Sequence, residues 1–180
     1  MFLLPFNHPD EPTPRENSWK FFIVCDDKDG EKSKFIDQIE ALGENRAGDF
    51  TKMLKYLTRL ASYGKPWEAV IQDKRKMHYV GEFVLHHTDG KAESEKVWEF
   101  KHGDIRILWC YGGKGKIILF GCVLLKDQKK IDKADVEYVG KLKNSYQMAY
   151  EKGQVIVAGD KTNEQTFGKF FPKSQGKSKV

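Results

Sequence analysis

The segment from residue 97 to residue 125 constrains the fold most, because three β-prone runs follow one another closely. Residues 97–101 and 104–111 flank the dipeptide His102-Gly103, and a two-residue loop of this kind is typical of a β-hairpin. A glycine-rich turn then leads into residues 116–125, which are almost continuously apolar, as in a strand buried on both faces. The segment therefore predicts an antiparallel meander whose last strand lies inside a sheet.

Helical spacing of apolar residues predicts three helices, two before this segment and one after it. The residues positioned to cap them are Ser33, Asp49 and Asp132. Residues 67–81 fit either a loop or a short strand, and residues 154–158 fit a short edge strand. The elements together predict an α+β fold with two N-terminal helices packed on a twisted antiparallel sheet and a C-terminal helix.

The length of 180 residues suits one domain with a segment at each end. Four prolines near the start predict a flexible arm over residues 1–18, the compact domain is expected over residues 19–158, and a basic, disordered tail over residues 159–180. No apolar run is long enough to span a bilayer, and the three cysteines lie singly in apolar runs. We therefore expect a soluble protein of the reducing cytoplasm, with no membrane association, metal or cofactor.

Several familiar chemical motifs are disfavoured by their context. Gly-Gly-Lys-Gly at residues 112–115 lacks the Ser or Thr of a phosphate loop and precedes a strand instead of a helix. His86 and His87 are adjacent on a predicted strand, so they point to opposite faces and are poorly placed to share a metal ion. No serine lies in a nucleophile-elbow motif, and each cysteine is expected to be a small buried hydrophobe.

Basic residues near the predicted strands offer a different chemistry. The chain has 31 Lys and Arg against 26 Asp and Glu, which gives a net charge of +5. A meander would bring Lys101, Arg106 and the lysines of residues 126–130 to one rim, where they can hold a phosphodiester and stabilise its transition state without a metal. Nearby Trp98, Trp109 and Tyr111 can stack on unpaired bases, as in the recognition of single-stranded RNA.

A structural interpretation of the same residues is also open. If His102-Gly103 is the loop, Lys101 pairs with Asp104, and Glu99 lies across from Arg106, which then forms an ordinary ion pair within the sheet. Charged strand residues are usually solvated, and tryptophans in strands are usually part of the core. Residue spacing alone does not decide between these interpretations.

The order of motifs resembles the HigB-like branch of the RelE/ParE toxin superfamily over about residues 50–152. The resemblance lies in Leu-Ala-Ser-Tyr-Gly-Lys-Pro-Trp at 60–67, Val-Trp-Glu-Phe-Lys at 97–101, Ile-Arg-Ile-Leu-Trp at 105–109 and Lys-Asp-Gln-Lys-Lys at 126–130. It implies a RelE-like architecture and the toxin of a type II toxin–antitoxin pair, with a small helix-turn-helix antitoxin as partner. Such toxins cleave messenger RNA, many of them on the ribosome, by attack of the 2′-hydroxyl and without a metal.

The resemblance and the basic rim together give a set of expected site residues. Those expected to be catalytic are Lys101, Arg106, Lys126 and Lys129. Those expected to bind RNA are Lys74, Lys76, Trp98, Gln128 and Lys130.

One departure from the family keeps other functions open. Phe120-Gly121-Cys122 stands where His-Gly-Phe is common, so no general base is identified there, and Tyr111, Tyr146 and Tyr150 are the remaining candidates for acid–base chemistry. The alternatives are a non-catalytic, phage-type protein of this fold that binds a protein or a nucleic acid, and a gyrase inhibitor as in the ParE branch.

Overall fold

The computed structural model describes residues 1–6, 17–27, 30, 32–67, 71, 73, 75–113, 116–125 and 131–157. The helices in these ranges are α1 (Lys34–Glu40), α2 (Glu44–Ser62) and α3 (Lys133–Glu151). The strands are β1 (Phe2–Pro5), β2 (Lys20–Cys25), β3 (Met77–His86), β4 (Ala92–His102), β5 (Ile105–Tyr111), β6 (Ile117–Leu125) and β7 (Ile156–Val157).

The strands form one mixed sheet of seven, in the order β3-β4-β5-β6-β2-β1-β7. Strands β4 to β6 make the predicted antiparallel meander, and β3 extends it by a further antiparallel strand. In contrast, β2 runs parallel to β6 and β7 runs parallel to β1. The fold is α+β, yet the predicted architecture of two N-terminal helices on a purely antiparallel sheet is wrong, because two strands precede the helices and the sheet is mixed. Parallel partners far apart in sequence carry no hairpin signal that could have predicted them.

The start of the chain belongs to this sheet. Residues 2–5 were predicted to lie in a flexible arm, but they form β1, which pairs antiparallel with β2 from Phe2 opposite Cys25 to Pro5 opposite Phe22. Leu3 and Leu4 are both buried, and they join the hydrophobic cores on opposite sides of the sheet. Residues 7–16 and 158–180 lie outside the described residues, so the rest of the arm and the tail stay predictions.

Helices cover both faces of the sheet. Helices α1 and α2 pack on one face and α3 packs on the other, and each face has its own hydrophobic core. Strand β6 contributes to both, with Phe120 directed to α1 and α2 and Leu119 directed to α3. The prediction that residues 116–125 form an interior strand buried on both sides is confirmed for residues 117–125.

Two of the three predicted helix caps are confirmed. The Ser33 hydroxyl accepts a hydrogen bond from the backbone of Phe35 (3.3 Å), and Asp132 accepts one from the backbone of Ala134 (3.1 Å). The cap predicted at Asp49 is wrong: α2 begins at Glu44 after Gly43, and Asp49 lies inside it, 3.3 Å from the Lys52 ammonium. Of the helices in the described ranges, none has both the length and the apolar character needed to cross a bilayer.

An asparagine of α3 covers part of the outer edge of the sheet. Strand β3 lies at this edge and pairs with β4 on its inner side. The Asn144 side chain accepts a hydrogen bond from the His86 backbone (2.8 Å) and donates one to the Val84 carbonyl (2.9 Å). Its amide therefore satisfies the backbone groups that a further strand would pair with.

Close packing between β6 and α3 predicts a stability difference between two glycine substitutions. A Cβ on Gly121 would lie 2.5 Å from a methyl carbon of Val139, whereas a Cβ on Gly48, inside α2, would meet nothing within 4 Å. We expect Gly121→Ala to lower the free energy of unfolding by about 1–3 kcal/mol through overpacking. Gly48→Ala should raise it by about 0.5–1 kcal/mol through helix propensity.

Urea unfolding followed by circular dichroism measures both changes, with Gly48→Ala as the matched control. A Gly121→Ala protein as stable as the parent would contradict the close approach of α3 to β6.

Candidate functional site

The turn between β4 and β5 places two cations side by side. The pair His102 and Ile105 closes the turn, so the loop residues are Gly103 and Asp104, and the predicted His102-Gly103 loop is wrong by one residue. Gly103 has a φ of +57°, a conformation that suits glycine at the first position of a two-residue turn. In this register Lys101 lies directly opposite Arg106, so both side chains leave the same face of the sheet.

Both cations contact a fully buried carboxylate. Glu99 precedes Lys101 by two residues on β4 and therefore points to the same face, with 0% of its side chain exposed. One of its oxygens lies 3.3 Å from Nη1 of Arg106, and the other lies 3.2 Å from Nζ of Lys101. The predicted contact between Glu99 and Arg106 is therefore present, although it is a diagonal contact since Glu99 lies across from Leu108.

His78 completes this cluster from the neighbouring strand. It lies opposite Glu99 on β3, and its Nε2 is 3.0 Å from the second Glu99 oxygen. Within the described part of the chain, none of these contacts has the alignment of a hydrogen bond to Glu99, so the attraction is mainly electrostatic. One buried negative charge thus faces two cations and an imidazole, which leaves the cluster with excess positive charge.

A cleft of about 420 Å³ opens beside this cluster. Its charged or titratable lining residues are Asp73, Arg75, Lys76, Lys101, His102 and Arg106. We call this site the basic cleft. Its lining has four cationic side chains and one carboxylate, and Glu99 adds a second carboxylate beneath it, so the site as a whole attracts anions.

Arg75 extends the basic cleft towards solvent. Its guanidinium makes two hydrogen bonds to Asp73, of 3.0 and 3.2 Å, and its backbone N–H donates a third of 3.0 Å. These bonds raise the pKa of Arg75 and lower the pKa of Asp73. The Arg75 side chain is 91% exposed, so it can meet a ligand without being needed for the core.

The environment of His78 favours its neutral form. Burial lowers the pKa of His78, the Glu99 carboxylate opposes this, and the positive charges of Lys101 and Arg106 lower it further. We assign the ring proton to Nε2, which faces Glu99, and this leaves the lone pair on Nδ1. Nδ1 is buried and has no hydrogen-bond partner among the described residues, so it does not face the cleft.

The structure brings together some of the predicted site residues and separates others. Lys101, Arg106 and Lys76 line the basic cleft, and Nζ of Lys76 also lies 5.6 Å from the centre of the Tyr56 ring. Trp98 packs on the opposite face of the sheet, its ring stacked at 6.0 Å on Trp109. The remaining predicted residues lie outside the described residues: Lys74, Lys126, Gln128, Lys129 and Lys130.

Sequence reasoning missed three contributors to the site, namely Arg75, His78 and His102 as functional groups. His102 was predicted only as a loop residue, and the signal that could have found it is its position directly after Lys101 at a hairpin end.

The tyrosines predicted as candidates for acid–base chemistry lie outside the basic cleft. Tyr111 accepts a hydrogen bond from the Trp67 backbone (3.1 Å), and burial raises the pKa of Tyr146 to about 12.

Cysteine and metal chemistry find little support among the described residues. Burial raises the pKa of Cys25, Cys110 and Cys122 to about 12 each, so their thiols are poor nucleophiles. In the same ranges, no group of three or more His, Cys, Asp or Glu side chains is arranged to hold a metal ion.

Comparison of the chain with protein-family models, with curated proteins and with solved structures yields no match.

The lowered pKa of His78 predicts how stability depends on pH. In the unfolded chain the pKa of this histidine is near its usual 6.5, and in the folded chain the pKa is lower, so the unfolded chain takes up the proton first as the pH falls. His78 should therefore reduce stability progressively as the pH falls below 6.5. In His78→Asn this part of the acid destabilisation should disappear. Urea unfolding midpoints between pH 8 and pH 5 measure the difference from the parent.

His87 provides the control with the opposite sign. Its hydrogen bonds to Glu151 and Glu93 raise the pKa of His87 in the folded chain. Its stabilising effect is therefore complete below pH 6.5 and is lost as the pH rises through the pKa of the folded chain. His87→Asn should therefore steepen the loss of stability on acidification. Equal pH profiles for the two variants would contradict both assignments.

Proposed function

We propose that this protein binds single-stranded RNA in the basic cleft and cleaves it without a metal ion, as an endoribonuclease toxin of the RelE/ParE type. The observation that carries the proposal is the placement of Lys101 and Arg106 side by side in one cleft with Arg75, Lys76 and His102. A second support is that two of the motifs that resemble HigB-like toxins contain Lys101 and Arg106. The resemblance rests on these sequence motifs, because the architecture it implied is not the one observed.

The charges of the basic cleft suit a phosphodiester. Arginine offers a planar fork of donors that matches phosphate oxygens, and lysine adds a point charge. When the 2′-hydroxyl attacks the phosphorus, negative charge grows on the non-bridging oxygens, and cations fixed beforehand stabilise that charge without reorganisation. Glu99 helps to fix Lys101 and Arg106 in this position from below.

His102 is the one imidazole among the described residues that line the basic cleft, so it is the candidate proton acceptor. A neutral imidazole can take the proton of the 2′-hydroxyl as that oxygen bonds to phosphorus. The bond to the 5′-oxygen then breaks, and that oxygen takes up a proton. The products are a 2′,3′-cyclic phosphate and a 5′-hydroxyl end, and neither requires a cofactor.

The biological setting follows from the same proposal. As a toxin of this type the protein would act in the cytoplasm on messenger RNA, and on the ribosome as many such toxins do. A small helix-turn-helix antitoxin would neutralise it. Induction of the gene alone should then arrest growth, and co-expression of the antitoxin should restore it.

A second candidate function is RNA binding without cleavage. It is favoured by the pairing of both Lys101 and Arg106 with Glu99, which reduces the charge available to a transition state. The buried position of His78 Nδ1 adds to this, since the lone pair of that imidazole does not reach the cleft. Binding and cleavage measured on the same variants separate the two functions.

The first test is the salt dependence of RNA binding. Arg75→Gln should reduce the slope of log affinity against log salt by about 0.7, the value for one phosphate contact on a single strand. Because Arg75 is exposed, this change should leave the fold intact. Fluorescence anisotropy with a labelled, unstructured RNA measures the slope.

The control is Lys96→Gln on the same strand as Lys101. Lys96 lies on the face of β4 that carries Trp98, 6.0 Å from the ring centre of that tryptophan. The Lys96→Gln substitution removes one positive charge, as Arg75→Gln does, but at a position outside the basic cleft. Equal slopes for Arg75→Gln and Lys96→Gln would reject the basic cleft as the RNA site.

The second test separates binding from cleavage at His102. His102→Asn should keep RNA affinity within a few-fold but lower the cleavage rate by about 10²–10⁴-fold, as expected for loss of a proton acceptor. Mass spectrometry of the RNA fragments detects the cyclic phosphate. A parent protein that binds RNA but produces no cyclic phosphate, on free RNA or on ribosomes, would establish the non-catalytic alternative.

A further inference from the structure

A second cleft, of about 370 Å³, lies at the opposite end of β5 from the basic cleft. Its lining includes Lys143 and Gln147 of α3, the carboxylates Glu93, Glu95 and Glu151, and Gly113 after β5. We call it the lysine cleft. Nothing in the proposed RNA chemistry uses it, because it shares no lining residue with the basic cleft.

Lys143 is an unusual group to find in its wall. The residue is only 1% exposed, and its Nζ donates one hydrogen bond, to the side-chain oxygen of Gln147 (3.1 Å). In the described part of the chain, no carboxylate lies within 4 Å of this amine. A buried lysine is costly unless it is paired or neutral, so this position favours the free amine or a bound acceptor.

A fixed hydrogen-bond network holds the amine in place. The Gln147 amide nitrogen donates to Glu151 (2.7 Å), so its oxygen is directed to Lys143. Glu151 also contacts His87 (2.6 Å) and accepts hydrogen bonds from the backbone and hydroxyl of Thr88 (2.7 Å each). The lysine cleft therefore has a preformed wall on this side.

The approach to the amine is kept open by a glycine. Gly113 has a φ of +90°, and a Cβ on it would lie 3.7 Å from Nζ of Lys143, between the loop and the amine. Residue 113 therefore has no side chain that could cover Nζ. Nζ also lies 5.4 Å from the centre of the Tyr146 ring, but its remaining donors have no hydrogen-bond partner among the described residues, and they lie next to space that a small ligand can enter.

The charges around the cleft select the class of ligand. Glu93, Glu95 and Glu151 outnumber the cations, so a carboxylate or phosphate would be repelled. A neutral carbonyl oxygen can accept the free hydrogen bonds without this penalty. Burial lowers the pKa of Lys143 from its usual 10.5, which the nearby carboxylates only partly oppose, so the nucleophilic amine is more abundant than on a surface lysine.

We propose that the lysine cleft binds a small neutral aldehyde or ketone and that Lys143 condenses with it reversibly to form an imine. The amine nitrogen adds to the carbonyl carbon, and a proton passes from nitrogen to the former carbonyl oxygen. That oxygen leaves as water when the carbon–nitrogen double bond forms. Glu95 and Glu93 line the same cleft and influence the charge of Lys143, and water entering the cleft can relay the protons from nitrogen to oxygen. Nothing is oxidised or reduced, and no further reactant is needed.

The test is reductive trapping of the imine on the intact protein at pH 7. Butanal serves as the neutral probe, sodium cyanoborohydride fixes any imine, and peptide mass spectrometry locates the label. We expect Lys143 to be labelled at least several-fold faster than Lys141, because the lowered pKa of Lys143 leaves more of its amine in the free, nucleophilic form. Lys141 is the matched internal control, because it lies exposed on the same helix.

Two variants sharpen the result. Lys141→Met should keep the fast label and Lys143→Met should lose it, while the separate label on the Met1 amine is recognised from its own peptide. If Lys143→Met does not fold, the comparison of Lys143 with Lys141 inside the parent protein still decides. Labelling of Lys143 no faster than Lys141 would overturn the proposal and leave Lys143 as a buried residue of α3 that only holds the Gln147 side chain in place.

Discussion

The burial of β6 on both faces is the constraint on which the rest of the structure depends. This strand lies between the antiparallel meander and the parallel partner β2, and it supplies side chains to both hydrophobic cores. Helices on both sides are needed to exclude water from such a strand. The approach of α3 to Gly121 then sets the distance between α3 and the sheet, and with it the position of Lys143.

The basic cleft and the lysine cleft lie at opposite ends of the central strands. Helix α3 covers the middle of the sheet face between them. Strand alternation brings His78, Glu99, Lys101 and Arg106 to one patch beyond the hydrophobic contacts of α3. A carboxylate buried there is tolerable only because cations surround it. The same attraction orders the cations, so Glu99 both weakens the basic cleft as an anion site and fixes its geometry.

The sequence predicted the features that depend on local pattern. The caps at Ser33 and Asp132, the interior strand, and the nearness of Lys101 and Arg106 all follow from short-range spacing. Short-range spacing did not predict strand β1 or the parallel pairing of β2 with β6, because these pairings join residues that are far apart in the chain. For the same reason Arg75 and His78 were missed: the charged stretch before β3 has no periodicity, and only the register of β3 against β4 shows where His78 points.

Asn144 has a consequence for how this molecule behaves at high concentration. An exposed outer strand is a template on which other chains can add, and this is a common start of irreversible aggregation. The Asn144 side chain makes the hydrogen bonds to Val84 and His86 that the backbone of an added strand would otherwise make. It therefore blocks strand addition at a point where the Val84 side chain is exposed. The molecule thus carries a small barrier to fibre-like growth in one side chain of α3, in addition to the irregular pairing of β3 between Tyr79 and Gly81.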